Sequence, residues 1–268
     1  MIIDFHTHVF PDKIAASTVS ALSINTGIPA YAPGTADGLL SALRDAGVAV
    51  GVNLPPLTKP TQFESVKKFA EELNRREYTD ARIVSFAGAH PDMDDVEGKM
   101  RSLREAGFVG IKIHPDYQGT FIDDERYVRI FLSAKREGLY VLTHSGVDGA
   151  YLGQPVKCTP TGVLRLLDKI GGYDRIILAH LGANEMFSEV YNSLAGEDVY
   201  FDTAYCLGRA GDMFVRILER HGEDKILFGS DSPWQSVKEQ VDIIRGYSLG
   251  KEVEEKIFSK NAIKILGL

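Results

Sequence analysis

Residues 1–10 read MIIDFHTHVF, an apolar run that ends in two histidines one residue apart, His6 and His8. Alone, the pair is ambiguous: it fits two imidazoles closing a buried strand, and it fits half of a metal site. Side chains two apart on a strand share a side, so Asp4, His6 and His8 are expected to face together, with Thr7 turned away. The rest of the chain decides between the two readings.

Working outward from this run, short β-branched stretches recur along the chain. They are IIDFH (2–6), AVGVNL (49–54), RIVSFAG (82–88), FVGIKIH (108–114), LYVLTH (139–144), RIILAH (175–180), VYFDT (199–203) and KILFGSD (225–231). Their nearly continuous apolar character is that of parallel strands covered on both faces. Between them lie amphipathic stretches with helix signals. DDERYVRIFLSAKREG (123–138) has acids in its first turn, bases in its last and a terminal glycine, matching the helix dipole and the usual C-terminal stop. DGLLSALRDAG (37–47), DDVEGKMRSLREAG (94–107) and the closing EEKIFSKNAIKILGL repeat the theme. Strand–helix alternation without a composition break predicts an α/β fold, a single (β/α)₈ TIM barrel over residues 1–268. No GxGxxG follows the first strand, which argues against a doubly wound dinucleotide-binding sheet. Residues 10–36 form the one oversized connection, expected to be an extended loop or lid walling a substrate pocket, with Tyr31 a candidate contact.

The chain has 268 residues, 44% hydrophobic and 25% charged, with a formal net charge of -7. That balance gives no electrostatic reason to expect a nucleic-acid or membrane partner. No run has the length of a membrane span and no leader pattern opens the chain, so a cytoplasmic location is expected. Cys158 and Cys206 form no CxxC and no disulfide framework, and are expected to be buried.

The seven histidines are not scattered over this map. His6 and His8 end the first predicted strand, His114 the fourth, His144 the fifth and His180 the sixth, while Asp231 ends the eighth. In barrel enzymes the active site lies at this face. Imidazoles and one carboxylate make the usual N/O set for Zn²⁺ and suit other divalent transition metals, with a position left for water. His90, in GAHPD, reads as a turn residue, Asn184 as a helix N-cap, and His221, at the opposite end, is expected to have no role in the site.

The motifs DFHTH, GIKIHPDYQG, THSG, ILAHLG and ILFGSDSPW, in that order along nearly the whole chain, resemble the amidohydrolase superfamily. The resemblance is to its amidohydrolase-2 branch, which includes carboxymuconate-semialdehyde decarboxylase-like proteins. It implies a barrel with a divalent metal, most commonly zinc, held by His6, His8, His144 and Asp231 together with a water. His180 would be the catalytic histidine beside it, or a ligand of a second metal with His114. The fourth strand departs from binuclear relatives, which carry a bridging carboxylate there. Here it offers His114 and, deeper, Lys112, which is expected to pair with an interior carboxylate such as Asp4. One metal is therefore favoured over two. Relatives also suggest a homodimer.

The expected chemistry is metal-dependent hydrolysis of an amide, ester or lactone bond in a small molecule, with Asp231 and His180 handling protons. The alternative is non-oxidative decarboxylation of a small carboxylated aromatic or muconate-like substrate. A barrel using metal for stability alone is the third reading, disfavoured because structural sites need no further histidines around them. Lys112, Tyr117, Tyr205, Arg209 and Trp234 are the candidate substrate contacts, with Arg209 the candidate carboxylate partner.

Overall fold

The computed structural model describes residues 1–268. The apolar runs form parallel strands: β1 (Ile3–Thr7), β2 (Val50–Asn53), β3 (Arg82–Ser85), β4 (Ala87–Gly88), β5 (Gly110–Ile113), β6 (Tyr140–Thr143), β7 (Ile176–Leu178), β8 (Tyr200–Asp202) and β9 (Ile226–Leu227). β3 and β4 are one physical strand interrupted at Phe86, so the nine segments make the eight staves expected. Regular ladders join β1 to β3 and β4 to β9 in sequence order. Discrete backbone bonds cross both seams. Phe86 N donates to Asn53 O at 2.9 Å. Between first and last strands, Phe5 N donates to Phe228 O (2.7 Å), Asp231 N to His6 O (2.8 Å) and His8 N to Ser232 O (2.6 Å). The fold is a (β/α)₈ barrel, and the bonds that close it run through three of the predicted site residues.

The helices are set by their ends. Thr35, Asp124 and Thr159 each accept a first-turn backbone N–H, and Gly138 and Gly171 stop their helices in the left-handed conformation, as such caps do. Their apolar faces bury Leu39, Leu43, Ile130, Phe131, Val163 and Leu166 against the strands. A second buried group, around Ile3, Phe5, Val52, Phe86, Leu142 and Ile177, draws on strands around the ring and on Ala262 and Ile265 of the final helix. No helix is long and apolar enough to cross a membrane. Cys158 and Cys206 are free and buried.

Residues 10–36 are not an extended loop. They contain a helix, Asp12–Thr26, entered from Pro11 without a side-chain cap and closed by Gly27 at φ 71°. Ala15 is its one buried residue, so the segment lacks the apolar stripe from which a surface helix is read.

His221 lies away from the site, as expected, and holds the fold together. Its Nδ1 accepts Gly196 N–H at 3.1 Å and its Nε2–H donates to Val199 O at 2.9 Å. The ring stacks on Phe201 at 3.8 Å. Burial pulls its pKa from the ordinary 6.5 down to about 4. Between those values the unfolded chain carries a proton that the folded chain refuses. The stability this residue contributes is therefore complete above pH 6.5 and is lost as pH falls toward 4, up to about 3 kcal/mol. His221→Gln is expected to be less stable at pH 7 but to lose correspondingly less on acidification, as urea unfolding at pH 7 and pH 4 would read. An unchanged pH dependence would refute this.

Candidate metal centre and cavity

At the C-terminal mouth of the strands the polar side chains are fixed by their second nitrogens. His6 Nδ1–H donates to Asp202 Oδ2 at 2.7 Å. His8 Nδ1–H donates to Leu54 O at 2.9 Å, and His180 Nδ1–H to Ala204 O at 2.8 Å. A carbonyl or carboxylate can only accept, so each of these rings turns an unprotonated Nε2 toward the cavity. The Nε2 atoms of His6 and His8 stand 3.2 Å apart, and Asp231 Oδ1 lies 3.4 Å from the first and 3.2 Å from the second. His180 Nε2 meets His144 Nδ1 at 3.0 Å.

This donor set fits a divalent cation. Three acceptors converge with no proton committed between them, and burial keeps His6 well below its ordinary pKa, so the ring does not supply one. Two ligands about 2.1 Å from one ion are separated by roughly 3.0–3.4 Å at right or tetrahedral angles. Asp231 is held below the usual carboxylate range: burial would raise it, but the His8, His6 and His180 rings against it outweigh that. The groups close enough to share a cation are His6, His8 and Asp231; His6, His180 and Asp202; and His114, His144 and Asp148. His144 is therefore joined to the first pair through His180 rather than touching it.

Backbone strain concentrates here. His180, Leu181, Tyr205 and Asp231 all have positive φ, at 60°, 56°, 59° and 68°, conformations that cost energy in residues other than glycine and cluster at functional sites. Asp202 anchors the arrangement: while Oδ2 takes the His6 proton, Oδ1 accepts the backbone N–H of His180 (2.9 Å) and of Ala204 (3.0 Å).

Lys112 is 1% exposed, with Nζ 3.5 Å from His6 Nε2. Burial lowers its ammonium to about 8, against the pull of Asp202 and Asp231. Asp4, its expected partner, instead accepts from Ser230 Oγ at 2.5 Å and Ser230 N at 2.9 Å, because the eighth stave rather than the fifth segment lies beside it.

Above these groups opens a cavity of about 1000 Å³, which includes Lys112, His114, Tyr117, Tyr205 and Trp234 in its wall. One wall is the helix Asp12–Thr26, through Ile14, Ser17, Ala21 and Leu22, so the segment walls the pocket as expected but as a helix. Two expected contacts are elsewhere. Tyr31 is 62% exposed and does not line the cavity. Arg209 pairs with Glu185 at 2.9 Å and lies over the Tyr205 ring, so an exposed carboxylate has claimed it. Asn184 caps no helix; its Nδ2 donates to Val147 O at 2.8 Å, and it lines the cavity. His90 accepts Asp92 N–H at 3.1 Å within its own turn.

Two carboxylates in the groups close enough to share a cation, Asp202 and Asp148, carry no motif that marks them in the sequence. Asp148 owes its place to a lacing of two loops. Val147 N donates to Asn184 O and Asn184 N to Ser145 O, both at 3.0 Å. Gly146, at φ +84°, makes the approach possible, since a Cβ there would stand 2.1 Å from Asn184 N. Gly146→Ala is expected to destabilise the protein by about 2–4 kcal/mol, read by chemical denaturation; a loss below 1 kcal/mol would show that the loops can part freely.

A family model described as Amidohydrolase (Amidohydro_2) matches residues 3–268. No curated protein matches by sequence. Among solved structures, 2,6-dihydroxybenzoate decarboxylase from Rhizobium superposes with a TM-score of 0.69 at 16% identity, covering 99% of this chain and 98% of its own. The 5-carboxyvanillate decarboxylase from Novosphingobium aromaticivorans, complexed with manganese and 4-hydroxy-3-methoxy-5-nitrobenzoic acid, gives 0.70 at 18%, covering 100% and 96%. A protein described as amidohydrolase II gives 0.74 at 18%, covering 100% of both chains. At such identities the structural likeness speaks for the barrel alone. The family match over almost the whole length settles membership: this chain belongs to the amidohydrolase family.

Proposed function

We propose that this protein is a metal-dependent carboxy-lyase that releases CO₂ from a small, planar, carboxylated substrate of the hydroxybenzoate or muconate kind. The observation that carries the reading is Lys112, a buried ammonium 3.5 Å from the Nε2 of His6, where it would offset the charge of a substrate oxygen seated on the ligand face. Solved chains of the same fold that act as hydroxybenzoate and carboxyvanillate decarboxylases support it. His6, His8, His144 and Asp231 would hold the ion, zinc or manganese, which when bound supplies positive charge to the substrate's oxygens.

The residues of the chain would do the rest. Loss of CO₂ breaks the carbon–carbon bond and leaves its electron pair on the substrate carbon, which must take up one proton. His180 Nε2 faces the cavity cluster with Nδ1–H held by Ala204 O; it would take up a proton from solvent, forming the imidazolium, and deliver it to that carbon. Tyr117 and Trp234 would flank a flat substrate and keep bulk water from the reacting carbon. His180→Asn is expected to lower kcat by about 10²–10⁴-fold with metal content retained; turnover within tenfold of the parent would remove His180 from this role.

Hydrolysis of an amide, ester or lactone is the second reading, favoured by one observation. Asp231, held in its ionised form against His8 and His6, is suited to take a proton from an attacking water. Zinc- or manganese-loaded protein given 2,6-dihydroxybenzoate, 5-carboxyvanillate and a panel of lactones and anilides separates the two. Metal-dependent CO₂ release is the expected result. Hydrolysis of the panel without CO₂ release would overturn it.

A further inference from the structure

The reaction proposed above uses His144 as a ligand but gives no role to its stacked neighbour His114 or to Asp148 beside both. The two rings lie 4.1 Å apart and 10° from parallel. Both turn Nε2 toward one oxygen, Asp148 Oδ2, at 3.4 Å from His114 and 4.0 Å from His144. Asp148 Oδ1 is already committed, accepting Ala150 N–H at 2.7 Å. The three side chains are compact enough to hold a cation of their own, so a second metal site competes with a different role.

Proton accounting separates the two. His114 Nδ1 accepts the Tyr117 N–H at 3.4 Å, which places its proton on Nε2, facing Asp148. An imidazole so arranged offers no lone pair to an ion beside Asp148. For His144 there are two choices. With the proton on Nδ1, it would satisfy His180 Nε2 but leave a bare Nε2 facing a carboxylate, two buried acceptors with nothing between them; that Nε2 has no hydrogen-bond partner. With the proton on Nε2, it faces the carboxylate's charge and leaves Nδ1 and His180 Nε2 as two bare nitrogens 3.0 Å apart, a contact that only a bound cation would relieve. A carboxylate in a buried, low-dielectric site favours the second choice.

We infer that Asp148 is a positioning residue that holds the His144 proton on Nε2, so that Nδ1 joins His6, His8 and Asp231 around a single cation while His114 stays outside the ligand set. This rests on the metal-centre reading but not on which reaction the centre performs.

The test is metal binding, not turnover. Full-length metal-loaded protein, competed with a chelator, is expected to hold one manganese or zinc ion per chain. Asp148→Asn keeps the bond to Ala150 N–H through its Oδ1 and turns an N–H toward both Nε2 atoms. It is expected to weaken metal affinity about 10–100-fold with the thermal midpoint of the metal-depleted protein unchanged. In nitrogen NMR its His144 should shift from the Nε2–H to the Nδ1–H pattern. Asp148→Ala is the second variant, with affinity expected to recover in formate. Two ions per chain in the parent, one of them lost in Asp148→Asn, would overturn the inference in favour of a second cation site. Parent-like affinity in both variants would overturn it outright. A failed CO₂ assay touches neither result, so the reaction and this inference fall separately.

Discussion

Asp231→Asn is expected to reduce turnover by roughly 10³-fold or more while leaving the barrel folded. The structural side of that expectation comes from the backbone. Asp231 sits at φ 68°, a left-handed conformation in which Asn is among the best tolerated residues other than glycine. Its main-chain bonds, N–H to His6 O and C=O from Trp234 N–H, both 2.8 Å, do not involve the side chain, so the seam between first and last strands survives. The chemical side is lost. The carboxylate oxygen 3.2 Å from His8 Nε2 and 3.4 Å from His6 Nε2 becomes a neutral amide, which binds a cation poorly and accepts no proton. Proton transfer by a positioned group contributes about 10²–10⁴-fold, and a weakened ligand set adds to it. Steady-state kinetics on any substrate that the metal-loaded protein turns over, beside a thermal melt, reads both halves. Turnover within tenfold of the parent, at equal metal content, would show that Asp231 is neither ligand nor base.

How much of this was legible in the sequence depends on the period of each signal. The strands were legible because parallel strands buried on both faces leave unbroken apolar runs. So was the clustering of His6, His8, His114, His144, His180 and Asp231, because each ends such a run. The helix Asp12–Thr26 was not, since it stands beside a cavity rather than on the core and carries no apolar stripe. Arg209 shows the opposite failure: its place after a strand suggested the pocket, but Glu185, which no periodicity connects to it, holds it outside. Asp202 and Asp148 were hidden for a third reason. Neither lies in a histidine motif, and what marks them is the nitrogen on the far side of a ring belonging to another strand. VYFDT (199–203) carries an acid one residue before its end, at the same rim as the histidines, and that was the one signal by which Asp202 could have been found.

Asp202 is also where the largest loss of metal affinity is expected among residues that do not touch the ion. In Asp202→Asn the amide oxygen can still accept the backbone N–H groups of His180 and Ala204, which Oδ1 now takes at 2.9 and 3.0 Å. That fixes the amide nitrogen opposite His6 Nδ1, where the carboxylate oxygen stands at 2.7 Å. Two N–H donors cannot share that contact, so the His6 proton must move to Nε2. There it occupies the lone pair that would bind the cation, and it confronts the Lys112 ammonium 3.5 Å away. Loss of such an outer partner costs metal affinity about 10–100-fold, and the upper end is expected because here the wrong tautomer blocks the ligand atom itself. Chelator competition measures the loss, and nitrogen NMR of His6 identifies its cause. Reduced affinity with His6 still protonated on Nδ1 would mean that Asp202 acts through charge alone. Unchanged affinity would mean that His6 is not a ligand.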